Sequence, residues 1–160
     1  MVHRLLQQLI FFLLLIIIAC HQAMEMTEME KEKIIKDVRQ TLDHYYEDIR
    51  TSGLTAEFKY LDHSPDFFWV PPGYSSSLSY DSIVAIVKQN AMKFKKVDNS
   101  FDTLQIIPLS KRLATYTGRL KSIMTDTSGQ VMAFSLVETG VIIKRREMWR
   151  LLHGQTTIIK

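Results

Sequence analysis

After Val97 the hydrophobic period of this chain changes from helical to alternating, and no helix signal returns before its end. Elements of one kind therefore precede elements of the other. A chain so ordered gathers its helices on one side of an antiparallel sheet, an α+β layout, because interleaved helices and strands are what a parallel sheet requires. The helical half starts at Thr27, which has capping-box spacing to Glu30, and Ile34, Ile35, Val38, Leu42, Tyr45, Tyr46 and Ile49 recur on one face. Gly53 stops this long helix, and Leu54 to Leu61 reads as a second, short helical piece with Phe58 and Leu61 inward. Asp62-His63-Ser64-Pro65 breaks it, Asp66 to Val70 reads as a short strand, and Pro71-Pro72-Gly73 ends that strand. Ser79 caps a third helix whose buried stripe is Ile83, Ile86, Val87, Ala91 and Phe94.

The alternating half divides into Ser100 to Pro108, Lys111 to Thr125, and Gln130 to Thr157, the last long enough for two strands that break near Lys144 to Glu147. Asp126-Thr127-Ser128-Gly129 is a turn with the glycine such turns favour. The pattern predicts one domain over residues 31–160, with three N-terminal helices packed on the concave face of a curved, mainly antiparallel sheet.

Ahead of the domain, Arg4 is followed by the apolar run Leu9 to Ala19, the order of charge, apolar core and small residue found in export signals. The run is shorter than the roughly 20 apolar residues a comfortable membrane span needs. Ile17-Ile18-Ala19-Cys20 resembles the bacterial lipobox, in which the cysteine is lipidated and becomes the new N-terminus. Ala19 and Cys20 match that pattern, whereas Ile17 and Ile18 stand where its usual form has Leu and a small residue. The resemblance implies a signal peptide at 1–19, palmitate-type acylation of Cys20, a tether at 20–30, and attachment to a membrane of the bacterial cell envelope. In a Gram-negative host, His21 after the cysteine points to the outer membrane, facing the periplasm.

Cys20 is the only cysteine, so its acylation would leave no thiol for a disulfide, a nucleophile or a zinc site. The 20 Lys and Arg against 17 Asp and Glu form no concentrated basic stripe, which argues against nucleic acid as a partner. Metal-binding, phosphate-loop, nucleophile-elbow and dinucleotide motifs are absent from the sequence, so no metal and no cofactor is expected.

Five pieces together carry a family resemblance: Tyr45-Tyr46, Tyr60-Leu61-Asp62, Phe68 to Gly73, Ser79-Tyr80-Asp81 and Met148 to Gln155. Their order and spacing resemble the NTF2-like superfamily, in particular its bacterial SnoaL-like and DUF4440-type branches. The resemblance implies a cone that encloses a pocket between helices and sheet, and a homodimer. It leaves function open, because this fold serves as enzyme, ligand binder and oligomerisation domain.

Pocket candidates follow from strand facing and from the resemblance. Trp149, Leu151, His153 and Gln155 share one face by period two, so a face that buries Trp149 carries His153 and Gln155 toward the pocket. The preferred alternative for His153 is a structural bond to a backbone carbonyl. Tyr45 stands where superfamily members that isomerise ketosteroids supply an oxyanion hydrogen bond, but Val70 occupies their base position before the proline and takes no proton. Trp69, Tyr74 and Tyr80 surround the Pro-Pro-Gly turn, where aromatics could stack on a ligand. Asp62 falls in a turn, and Glu138 is read as an outward carboxylate paired with a Lys or Arg of a neighbouring strand, a buried one needing a cation such as Arg119. The pocket candidates are thus Tyr45, Trp69, Tyr74, His153 and Gln155, with no catalytic residue assigned. The function expected is binding of a small apolar molecule or dimeric interaction; the alternative is a cavity enzyme of isomerase or hydratase type using Tyr45, Asp62, Glu138 and His153.

Cys20→Ser should convert a detergent-requiring membrane protein into a soluble or uncleaved one, because a multiply acylated terminus anchors far more firmly than one chain. Fractionation of the wild type as soluble, with unmodified Cys20 by mass spectrometry, would rule the anchor out.

Overall fold

A computed structural model of the chain describes residues 26–159; Cys20 and the expected signal peptide lie outside the described residues. Thr27 and Glu30 close the capping box, each side chain accepting the other's backbone N–H at 3.2 and 3.0 Å. Helix α1 (Glu28–Ser52) follows, burying Ile34, Val38, Leu42, Tyr46 and Ile49. Gly53 ends it with φ 88, a conformation L side chains avoid. The short helical piece beyond is a 3-10 helix (Leu54–Lys59), so two α-helices and one 3-10 turn stand where three helices are expected. Strand β1 (Phe68–Val70) and helix α2 (Tyr80–Ala91), capped by Ser79, complete the first half.

Four long strands form the second half: β2 (Phe94–Ser110), β3 (Leu113–Asp126), β4 (Val131–Arg145) and β5 (Met148–Ile159). Phe94, expected on the third helix, instead opens β2. The polar outer side chains of Lys95, Lys96 and Ser100 hide the alternation there. The sheet order is β1-β5-β4-β3-β2, antiparallel except that β1 runs parallel to β5. Asp126 organises the β3–β4 turn by accepting the N–H groups of Ser128 and Gln130 at 2.8 and 2.9 Å.

One irregularity changes what faces inward. On β5, Leu151 pairs with Ile142 but His153 pairs with Val141, so Leu152 is an extra residue, a β-bulge. The bulge lies between two chain segments that share β5's free edge: Leu61 bridges Leu151 on one side, and β1 pairs with His153 to Gln155 on the other. Before it, Trp149 and Leu151 face the helices; after it, Gly154 and Thr156 take that face through their pairing with Gly140 and Glu138. Strict alternation through this strand therefore fails beyond Leu151, because one inserted residue reverses every later side chain.

The core is densest under the N-terminal half of α1, where Ile34, Val38 and Leu42 pack with Ile106, Ala114, Ile142, Trp149 and Leu151. A second cluster, Tyr46, Ile49, Val97 and Leu120, lies under its C-terminal half. Asp62 ties the 60–66 segment to the β4–β5 turn through two bonds from Arg145, at 3.0 and 2.9 Å, and one from Ser64 at 2.6 Å.

Trp149 is 5% exposed at the centre of the larger cluster. Trp149→Ala should cost about 3 to 5 kcal/mol in urea unfolding, the range for truncating a buried large aromatic. A loss under about 1 kcal/mol, the scale of a surface substitution, would contradict this packing.

Candidate functional site

The inner face of the sheet is hollowed by three glycines, each overlain by an aromatic ring. A Cβ on Gly118 would meet the Phe101 ring at 2.6 Å, and one on Gly140 the Tyr116 ring at 2.7 Å. A Cβ on Gly154 would collide with the Trp69 indole. Tyr116, Gly140, Gly154 and Trp69 occupy successive strands in one row, so two rings lie over two bare stretches of backbone. Trp69, at the end of this row, also lines a cavity of about 220 Å³ under the C-terminal half of α1, the 3-10 helix and α2. Its walls are mainly apolar, including Ile49, Leu54, Phe67, Ile83, Val87 and Leu136.

Glu138 stands in this cavity only 6% exposed. The outward, cation-paired glutamate expected from sequence is therefore corrected: β4 register puts Glu138 between Gly118 and Thr156 on the inner face. Among the described residues no cation pairs with it. The hydroxyls of Tyr46 and Tyr116 donate to Oε1 at 2.9 and 2.8 Å, and Thr156 donates to Oε2 at 3.0 Å. The Trp69 Nε1–H donates in turn to Thr156 at 3.1 Å, so five elements, β1, β3, β4, β5 and α1, meet in one network. Burial pushes the Glu138 carboxyl above its ordinary value, against the pull of these hydrogen bonds, and burial raises both phenols as well.

A second carboxylate shares the space. Glu57, on the 3-10 helix, accepts the Tyr45 hydroxyl at 3.2 Å through Oε2. Burial pushes its carboxyl from 4.5 up to about 7; the Tyr45 bond opposes the rise and the nearby charge of Glu138 adds to it. Tyr45 therefore has a carboxylate beside it, on a residue not singled out in the sequence.

Of the sequence candidates, Tyr45 and Trp69 line the cavity. His153 and Gln155 do not, since the Leu152 bulge turns both outward. His153 Nε2 lies 2.9 Å from the Asp66 carbonyl oxygen, the structural role already weighed for it, and its ring stacks on Phe68 at 4.2 Å. Tyr74 is 45% exposed on its turn, and Tyr80 stacks on His63. Asp62 is committed to Arg145; burial works to raise its carboxyl, but the bonds from Arg145 and Ser64 hold it below the usual range. Glu57, Tyr116, Asn99 and Thr156 are the lining or network residues that sequence reasoning passed over, and Tyr46, read there on the buried face of the first helix, joins them. Two of them carry a signal: Leu54, Glu57 and Leu61 have one-face helical spacing, and Tyr116 alternates with Ala114, Gly118 and Leu120. Among the described residues no cluster of His, Cys, Asp and Glu could hold a metal ion. A larger open groove of about 650 Å³ beside α1 carries charges that pair with one another, Lys33 with Asp37 and Lys144 with Glu147.

A family model described as the SnoaL-like domain matches residues 38–159. The fold is similar to that of an NTF2-like superfamily protein from Salmonella enterica serovar Typhimurium, at 15% identity and TM-score 0.70, covering 81% of this chain and 93% of that one. It is similar also to a type 2 hexachlorocyclohexane dehydrochlorinase, at 7% identity and TM-score 0.67, covering 84% and 90%. An NTF2-like protein of unknown function from Shewanella oneidensis gives 16% identity and TM-score 0.61, covering 77% and 98%. Comparison with curated proteins finds no match.

The raised carboxyl of Glu57 fixes the sign of a pH effect. Between about 4.5 and about 7 the unfolded chain has released this proton while the folded protein retains it, so stability falls as pH rises across that window and levels above it. Glu138 acts in the same direction, and Asp62, held low, acts only in stronger acid. Thermal midpoints should decline between pH 4.5 and 7.5, and Glu57→Gln should flatten the decline. A slope unchanged by that substitution would place Glu57 in solvent.

Proposed function

Because the chain belongs to the SnoaL-like domain family, within the NTF2-like superfamily, we propose that its interior cavity binds a small, mostly apolar molecule. The observation that carries this is a hollow with mainly apolar walls and a carboxylate held within it by hydroxyls. Small-molecule sites are built in this way, with a few polar groups placed among apolar ones. A volume of about 220 Å³ suits a compact ligand, since drug-sized sites run from about 300 Å³ upward.

Glu57 favours a second reading, acid–base catalysis of the isomerase or hydratase type. A carboxyl poised near pH 7 is suited to take a proton and return it, and Tyr45 leaves its Oε1 free to do so. The dehydrochlorinase that shares the fold lends this reading a parallel, an elimination that removes a proton. A carbon-13 titration that put Glu57 in the ordinary carboxylate range would remove it.

We also propose that Cys20 anchors the chain to a bacterial envelope membrane and that two copies pair across the outer sheet face. The pairing is supported by the row Ile107, Thr115, Val141, His153 and Phe68, whose two end residues are exposed apolar side chains.

Methyl-resolved NMR with cyclohexanol as probe tests the cavity directly. Shifts should concentrate on Ile83, Ile86, Val87 and Leu136. Shifts confined to methyls outside the lining, or none at millimolar probe, would overturn the binding reading.

A further inference from the structure

We propose that the ligand of this cavity is a protonated organic amine, because two carboxylates share the hollow, no basic side chain among the described residues lines it, and acceptors of Glu57 and Asn99 there lack donors. The inference deepens the binding reading and rests on it. The groups facing the hollow from each surrounding element are Tyr45 and Tyr46 on α1, Glu57 on the 3-10 helix, Trp69 on β1 and Asn90 on α2. The strands add Asn99 on β2, Ser122 on β3, Glu138 on β4 and Thr156 on β5. None is Lys, Arg or His.

The phenol, indole and Thr156 donors are already used. Tyr45 donates to Glu57, Tyr46, Tyr116 and Thr156 donate to Glu138, and the Trp69 N–H donates to Thr156. The acceptors are not. Glu57 Oε1 takes no bond from Tyr45, and Asn99 Oδ1 is buried without any partner. An unpaired buried acceptor is costly, and a buried carboxylate more so. An ammonium group brings three N–H donors and the missing positive charge. The rest of the ligand is dictated by the walls. Trp69 and Tyr45 present ring faces and edges suited to a cation and its carbon skeleton, while the aliphatic lining leaves an alkyl or alicyclic body as the complement. A hard divalent cation fits poorly, since it calls for about six oxygen ligands or retained waters and this hollow is mainly hydrocarbon.

The pairing also sets a pH dependence. Glu57, pushed up to about 7 by burial and by Glu138, must be ionised to hold an ammonium, so amine binding should strengthen as pH rises through 7. A neutral ligand has no such dependence.

Calorimetric titration of the full chain, solubilised in detergent, with cyclohexylmethylamine and its neutral counterpart cyclohexylmethanol decides the matter. At pH 8 the amine should bind roughly tenfold or more tighter than the alcohol, as expected for one hydrogen-bonded charge pair. The advantage should shrink markedly at pH 5. Glu138→Gln and Glu57→Gln should each reduce it, read as the ratio of amine to alcohol affinity in the same variant, and Glu57→Gln, on a partly exposed helix, keeps the test open should Glu138→Gln fail to fold. Equal or tighter binding of the alcohol by the wild type would overturn the amine inference and leave the cavity-binding reading standing. An amine preference that persists at pH 5, or in both variants, would also overturn it. Binding of neither probe would overturn both.

Discussion

A carboxylate buried in a β-sheet without a cation is the constraint around which this molecule is arranged. Removing such a charge from water costs several kcal/mol. Glu138 offsets that cost with three hydroxyls drawn from α1, β3 and β5, and hydrogen bonds to charged groups contribute about 1.5 to 3 kcal/mol each. The two sums are of the same size, so the network adds little net stability. What it does fix is position: Tyr46 ties the C-terminal half of α1, which lines the cavity, to the sheet.

The domain therefore divides its labour along α1. Under the first half of the helix, Val38 and Leu42 are fully buried against Ala114 and Ile142, and hydrophobic burial supplies the stability. Under the second half, polar contacts hold the walls apart. The Asp62–Arg145 pair lies at the border, clamping the loop between the 3-10 helix and β1 to the β4–β5 turn. With that loop tied, Glu57 and Trp69 enter the cavity from segments that precede and follow a fixed point.

Much of this was legible in the residues. The period change after Val97, the Thr27–Glu30 box, Gly53 and the Asp126 turn act within a few residues of themselves, and local physics places them. Glu138 was misplaced for a different reason. Its partners lie 92, 22 and 18 residues away, and only the strand register brings three hydroxyls to one carboxylate. A search for a cation was the right demand on a buried charge and the wrong supplier. His153 and Gln155 were carried to the inner face by an alternation that Leu152 interrupts, and no residue type announces a bulge. Glu57 hid in a helix too short for its face to be read with assurance, one residue from the Phe58 taken as inward.

The glycine beneath the Trp69 indole gives the cavity an unusual form of control. Trp69 packs close against the sheet because Gly154 has no side chain to hold it off. A single methyl group on Gly154 would push the Trp69 indole, which lines the cavity, and shrink the hollow. The ceiling on ligand size is thus written one layer below the contact surface, in a residue whose contribution is the absence of a side chain. Two homologues could carry identical linings and admit different molecules.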